Sequence, residues 1–213
     1  MKFNGKTEEE SDEGNEPSQL IAVTQEPDLR TFGLCGDLDE EKTADILYTM
    51  LLLHENGKQE VPVNPKDLSK GTKTICEPFE FLISTAGGGA HEMFAIYDMM
   101  RSIRQDCTIK TLGMGKVMSA GVILLAAGTK GERRVGENCR IMIHSVIGGH
   151  AGAIHNLENE MDEVRWCQEQ YIKALSRETD MTKAYIKKLL ARKVNVYLTA
   201  AEAVELGIAD KII

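Results

Sequence analysis

The chain contains no Cys-x-x-Cys pair and no His-Glu-x-x-His run. Its five cysteines, Cys35, Cys76, Cys107, Cys139 and Cys167, are odd in number and widely scattered. That usage fits a reducing compartment better than a disulfide framework. His150 and His155 are five positions apart and fall on different faces of a helix, so spacing predicts no metal, and no cofactor is expected. Basic residues are in the minority, 25 Lys and Arg against 33 Asp and Glu, for a net charge of −8. An extended phosphate-binding surface is thereby excluded, and with it a nucleic-acid role. Charges and glycines interrupt every apolar stretch before the ~20 residues of a membrane span. The opening Met1-Lys-Phe-Asn-Gly-Lys-Thr-Glu-Glu-Glu has no apolar core of a secretory signal. Together these absences predict a cytoplasmic protein that binds neither membrane nor nucleic acid.

What is present is ample apolar material, 42% of 213 residues, enough for one α/β core. Residues 1 to about 18 are acidic and polar (Glu8 to Glu10, Asp12, Glu13, Glu16) and read as a mobile tail. The remainder, 19–213, reads as a single domain. Leu29 to Leu34 alternates like a strand, and Asp39 caps a helix that stops at Asn56-Gly57. Residues 57 to 77, with Pro62, Pro65, Gly71 and four lysines, read as an irregular surface excursion, and a loop role is expected for them. An apolar strand from Phe79 to Ile83 leads into Gly87-Gly88-Gly89, then a helix with a core stripe at Met93, Ile96, Tyr97, Met100 and Ile103. Thr108 to Met114 alternates again, and Ala120 to Ala127 is a short helix apolar enough to be buried on most sides. From Ile154 to about Thr179 an amphipathic helix runs well beyond the usual ~11 to 12 residues. Thr199-Ala-Ala-Glu202 is a capping box for a short helix ended by Gly207, and Ile208 to Ile213 closes as a strand.

Chemistry is expected at Ser119 and His144. Ser119 sits in the run Gly115-Lys-Val-Met-Ser119-Ala-Gly121, read as a small-residue turn that exposes its hydroxyl at the start of the apolar helix. His144 ends the Arg140-Ile-Met-Ile segment, read as a neighbouring strand. A serine hydroxyl becomes a useful nucleophile when a base removes its proton, and imidazole is the base most often used. By itself Ser119 reads as a helix N-cap and His144 as a core histidine; the glycine turn and the flanking motifs turn both toward catalysis. Lys116 reads as a solvated lysine rather than half of a Ser-Lys dyad, Met118 as packing, and His91 and His150 as residues of a cleft wall.

Taken in order, Gly87-Gly88 after a strand, Met114-Gly-x-x-x-Ser119, Ile141-Met-Ile-His144 with Gly148-Gly149, and Tyr197-Leu-Thr-Ala-Ala-Glu-Ala-Val-Glu-Leu-Gly207 resemble the proteolytic subunit of the Clp protease, the ClpP family, from about residue 29 to the end. The resemblance implies a crotonase-like fold of stacked βαβ units with the long helix as a protruding handle. It also implies two seven-membered rings stacked around a chamber, and unfolded polypeptide delivered by an AAA+ unfoldase. Carried over, Ser119 is the nucleophile, His144 the general base, and the backbone N–H groups of Gly88 and Ala120 the oxyanion hole. Gly87 and Gly89 match the segment along which an extended peptide pairs, and Gly148-Gly149 the turn opening the handle.

Three departures stand out. The third triad place, an aspartate in most of the family, aligns with Asn195, whose carbonyl can orient the imidazole but offers no charge to the imidazolium. Ser84-Thr-Ala-Gly-Gly-Gly stands where the family has Asn-Ser-Pro-Gly-Gly-Ser, and the 57 to 77 excursion replaces a few residues. The reading is a serine endopeptidase with a Ser-His-Asn triad; the alternatives are a weak or inactive ring subunit and, further off, an acyl-CoA enzyme of the same fold.

Overall fold

The computed structural model describes residues 29–149, 151–192 and 194–213. The acidic segment 1–18 and His150 lie outside them. β1 (Thr31–Cys35) leads to Asp39, whose carboxylate accepts the Lys42 N–H at 2.9 Å and starts α1 (Glu40–Asn56). This is the expected cap, and α1 ends at Gly57 as anticipated. The 57 to 77 segment is on the surface, but it is not irregular. β2 (Lys58–Pro62) and β3 (Thr72–Cys76) pair as an antiparallel hairpin whose tip holds a 3-10 turn at Leu68–Lys70. Val61, Thr72, Thr74 and Ile75 suit a strand, and Pro62 falls at a strand end where its missing N–H is harmless.

The cysteine reading also needs correction. Cys76, the last residue of β3, forms a disulfide with Cys107, while Cys35, Cys139 and Cys167 are free thiols. Their Cα atoms are 5.0 Å apart, within the range a disulfide spans. The two residues are 31 apart in sequence and share no motif, so only the folded chain makes them a pair.

After the hairpin come β4 (Phe79–Thr85), α2 (Ala90–Ile103), β5 (Ile109–Met118), α3 (Ala120–Ala126), β6 (Arg133–Val135), β7 (Arg140–Ile143), α4 (Ile154–Glu178), α5 (Lys183–Leu190), β8 (Val196–Leu198), α6 (Ala200–Glu205) and β9 (Lys211–Ile212). The main sheet runs β1-β4-β5-β6-β9, all parallel, with β7 parallel to β5 and β8 antiparallel to β7. The result is the expected α/β fold of βαβ units. β6 and α5 are too short for periodicity to reveal. The closing strand is shorter than expected, because its pairing to β6 involves only Lys211 and Ile212.

β5 positions everything that follows. Its first half pairs with β6 and its second half with β7. Between them the β4 register slips, so that Ile83 faces Gly113 but Thr85 faces Val117. Gly115, at φ 66, takes up the irregularity, a conformation that favours glycine. The run from Gly115 expected to be a turn is therefore strand as far as Met118, and the turn is Ser119 itself. α3 is wholly buried behind it, and the predicted stripe of α2 packs in the same core. α4 has the predicted 25-residue span. Ile154, Leu157, Met161 and Trp166 in its first half are exposed, whereas Cys167, Tyr171 and Leu175 are buried, so the helix projects beyond the core. Among the described residues no helix is long and apolar enough to cross a membrane.

Candidate active site

Register brings the predicted residues together. Ser119 follows β5, His144 follows β7, and Asn195 precedes β8. Met118 is opposite Met142, and the Ser119 N–H donates to the Met142 carbonyl at 2.8 Å. On the other side of β7, Ile143 is opposite Val196. One step further along these pairings sets Ser119 beside Ile143 and Asn195 across from His144, so Ser119 and Asn195 flank the end of β7 from its two sides. Ser119 and His144 line one cavity of about 320 Å³ with Ala86, Gly88, Met93 and Tyr171. His144 and Asn195 line an adjoining one of about 270 Å³. The three side chains are neighbours without being joined: among the described residues His144 makes no hydrogen bond to Ser119 or Asn195.

Ser119 is held at φ 53 and ψ −118, and it is the only non-glycine residue with positive φ among the described residues. Such a conformation costs about 1 to 3 kcal/mol and persists only where the surroundings impose it. Here the bond to Met142, the start of buried α3, and the Tyr171 hydroxyl donating to the Ser119 carbonyl at 3.3 Å impose it. Burial pushes the Tyr171 phenol pKa far above its ordinary value, so Tyr171 remains a neutral donor. The Ser119 side chain does not cap α3. Its hydroxyl is thus available, at a sharp strand-to-helix turn of the kind that presents nucleophiles.

Facing it is the glycine loop. The Leu38 N–H donates to the Gly87 carbonyl at 2.8 Å and the Gly89 N–H to the Leu38 carbonyl at 3.2 Å, which makes Leu38 and Gly88 a parallel bridge. With its neighbours bonded on that side, Gly88 turns its own N–H away from Leu38. Neither Gly88 nor Ala120 donates its N–H to another group among the described residues, and both residues line the larger cavity. Two unspent backbone donors beside a serine hydroxyl can receive the negative charge that develops on a carbonyl oxygen under attack. A Cβ at Gly88 would come within 2.0 Å of the Leu38 carbonyl oxygen, and one at Gly87 within 2.6 Å of the Ser119 Cβ, so both close approaches require glycine. Thr85, fully buried, accepts the Gly87 N–H at 2.9 Å. It holds the loop where the proline of the family pattern is missing.

The N–H groups of Gly87 and Gly89 are both engaged within the protein, so neither can donate to a bound peptide as it stands. Lys116 is exposed on β5 and outside both cavities. His91, expected on a cleft wall, lies outside the lining and bonds Glu163 on α4 at 3.1 Å. Tyr171 and Thr85 are the residues that sequence reasoning missed. Each acts by holding backbone, and a tyrosine on a core stripe or a threonine ending a strand has no local mark of that task.

The family model of Clp protease matches residues 72–213. The match includes the glycine loop, Ser119, His144, α4 and Asn195. It begins within the hairpin.

Proposed function

The chain belongs to the Clp protease family, a family of serine peptidases, and on that premise we propose that it is the proteolytic subunit of an ATP-dependent Clp protease. It cleaves unfolded polypeptide inside a chamber of two stacked seven-membered rings, supplied by an AAA+ unfoldase. Ser119 Oγ attacks the peptide carbonyl carbon while His144 takes its proton. The oxyanion rests on the N–H groups of Gly88 and Ala120, the amine leaves with the proton from His144, and water hydrolyses the acyl-enzyme by the same steps. The Asn195 carbonyl accepts the other ring N–H of His144 and keeps its tautomer. Each oxyanion donor contributes ~10²–10³ in rate. The observation that carries the reading is the strained Ser119 turn, its hydroxyl spent on no cap and facing the same cavity as His144 and the two free N–H groups.

A second reading, a weak or inactive subunit of a mixed ring, is favoured by the missing hydrogen bonds on either side of His144. Catalytic hydrogen bonds are often long before substrate binds, which keeps the first reading ahead. Fluorophosphonate labelling of fractions from a sedimentation gradient separates the two. An active peptidase gives a ring-sized species that labels and loses the label in Ser119→Ala while still sedimenting as a ring. An unlabelled ring supports the second reading, and a chain that neither labels nor assembles ends both. The proposed setting is cytoplasmic, in which case the Cys76–Cys107 bond faces a reducing thiol pool.

A further inference from the structure

Beside the cavity, but outside it, three side chains from two helices converge. His91 lies in the first turn of α2; Glu163 and Cys167, four apart, lie on one face of α4. His91 Nε2 is 3.1 Å from Glu163 Oε1, and Cys167 Sγ is 3.7 Å from the same oxygen. All three donor atoms lie within 4.8 Å of one another. Four-coordinate zinc, with bonds of ~2.0 to 2.3 Å, sets its ligand atoms roughly 3.3 to 3.7 Å apart. Two of the three edges already have about that length, and the third closes by a small rotation of the exposed imidazole.

We infer that His91, Glu163 and Cys167 form a zinc site that ties the first turn of α2 to α4. One nitrogen, one sulfur and one carboxylate oxygen are a donor set that zinc accepts, and the thiolate selects against magnesium and calcium. His91 and Glu163 are exposed, while Cys167 is only 3% exposed. The ion enters from solvent, rests on a buried sulfur, and keeps its fourth position for water. On binding, the Cys167 thiol gives up its proton to solvent as the zinc–sulfur bond forms. Phe94 and Trp166, an edge-to-face pair with ring centres 6.2 Å apart, already pack the same two helices together, so the ion joins elements that are in register.

The consequence reaches the candidate active site. His91 is the residue after Ala90, which lines the cavity, and three residues after Gly88. A zinc ion there restrains the loop that carries an oxyanion donor and links it to the projecting helix.

The test uses the full-length chain without added reductant, so that Cys76 and Cys107 stay joined. Zinc is titrated in competition with a chromophoric chelator, and cobalt(II) then replaces it for absorption spectroscopy. The expected result is one zinc per chain and a thiolate-to-cobalt charge-transfer band. In His91→Ala, an exposed change that leaves the core untouched, affinity should fall by roughly 100-fold or more, since even loss of an outer partner of a metal ligand costs about 10- to 100-fold. Equal affinity in His91→Ala, cobalt binding without the thiolate band, or no saturable binding would each overturn the site and leave His91 and Glu163 as a plain surface ion pair.

Discussion

Asn195 is the residue on which the rate of the proposed chemistry turns. It sits across from His144 by strand register and offers that histidine a carbonyl but no charge. In a triad built for aspartate, replacing it by asparagine lowers turnover by about 10⁴. If Asn195 orients His144, Asn195→Asp should raise kcat on a short fluorogenic peptide by about tenfold or more, because a carboxylate stabilises the imidazolium that forms. Asn195→Ala should lower kcat with little change in KM. Identical kinetics in all three proteins would remove Asn195 from the mechanism. The placement of Ser119 before a buried helix and of His144 at a strand end was legible in the sequence, because each follows from its immediate neighbours. Asn195 was legible only through resemblance, since an asparagine before a strand is ordinarily a turn former.

At the scale of elements, the hairpin of β2 and β3 is fastened to the body by Cys76–Cys107, at the end of β5 opposite Ser119. A ten-residue strand is ~33 Å long when fully extended, so fastening and site are far apart. The bond closes a segment with a sequence separation of 31, and the chain-entropy argument gives it about 3 to 4 kcal/mol. Cys76→Ser should therefore lower the unfolding free energy read from urea titration by about 3 to 4 kcal/mol, while peptide turnover at 25 °C stays within about twofold. A loss of turnover matching the loss of stability would mean that the hairpin reaches the site. Lysines and prolines in this segment suggested a loop, and cross-strand pairing outweighed them. Tertiary context of that kind commonly overrides local propensity.

For the molecule as a whole, a buried polar network joins β6, the end of α4 and the chain's last turn. Arg133, 2% exposed, bonds both carboxylate oxygens of Asp210 and donates to the carbonyls of Glu178 and Gly207. The Glu178 carboxylate is paired with Arg104 and accepts from Tyr97. Burial pushes the Tyr97 phenol up to about 12, helped by Glu178. Burial by itself would raise the Asp210 pKa, but the hydrogen bonds and charge of Arg133 prevail and bring it from 3.8 to about 2. Asp210 thus contributes stability in full above about pH 4 and loses it as pH falls through about 2, since the unfolded chain takes up the proton first. Urea unfolding of Asp210→Asn should give a lower stability than wild type at pH 6 and a shallower decline between pH 4 and pH 2. Parallel curves for the two proteins would assign the acid sensitivity elsewhere.

Some features of this protein follow from sequence by itself: the Asp39 cap, the Thr199–Glu202 capping box, the length of α4, the buried α3, and Ser119 between a strand and a helix. Each depends on propensity, capping or periodicity over a few consecutive residues, and such forces act before distant segments meet. The tertiary structure alone decided that β5 forks, that Cys76 meets Cys107, that Asn195 faces His144, and that His91 meets Glu163 and Cys167. Those contacts depend on the register of strands and the crossing of helices between segments tens of residues apart, and no local pattern encodes either.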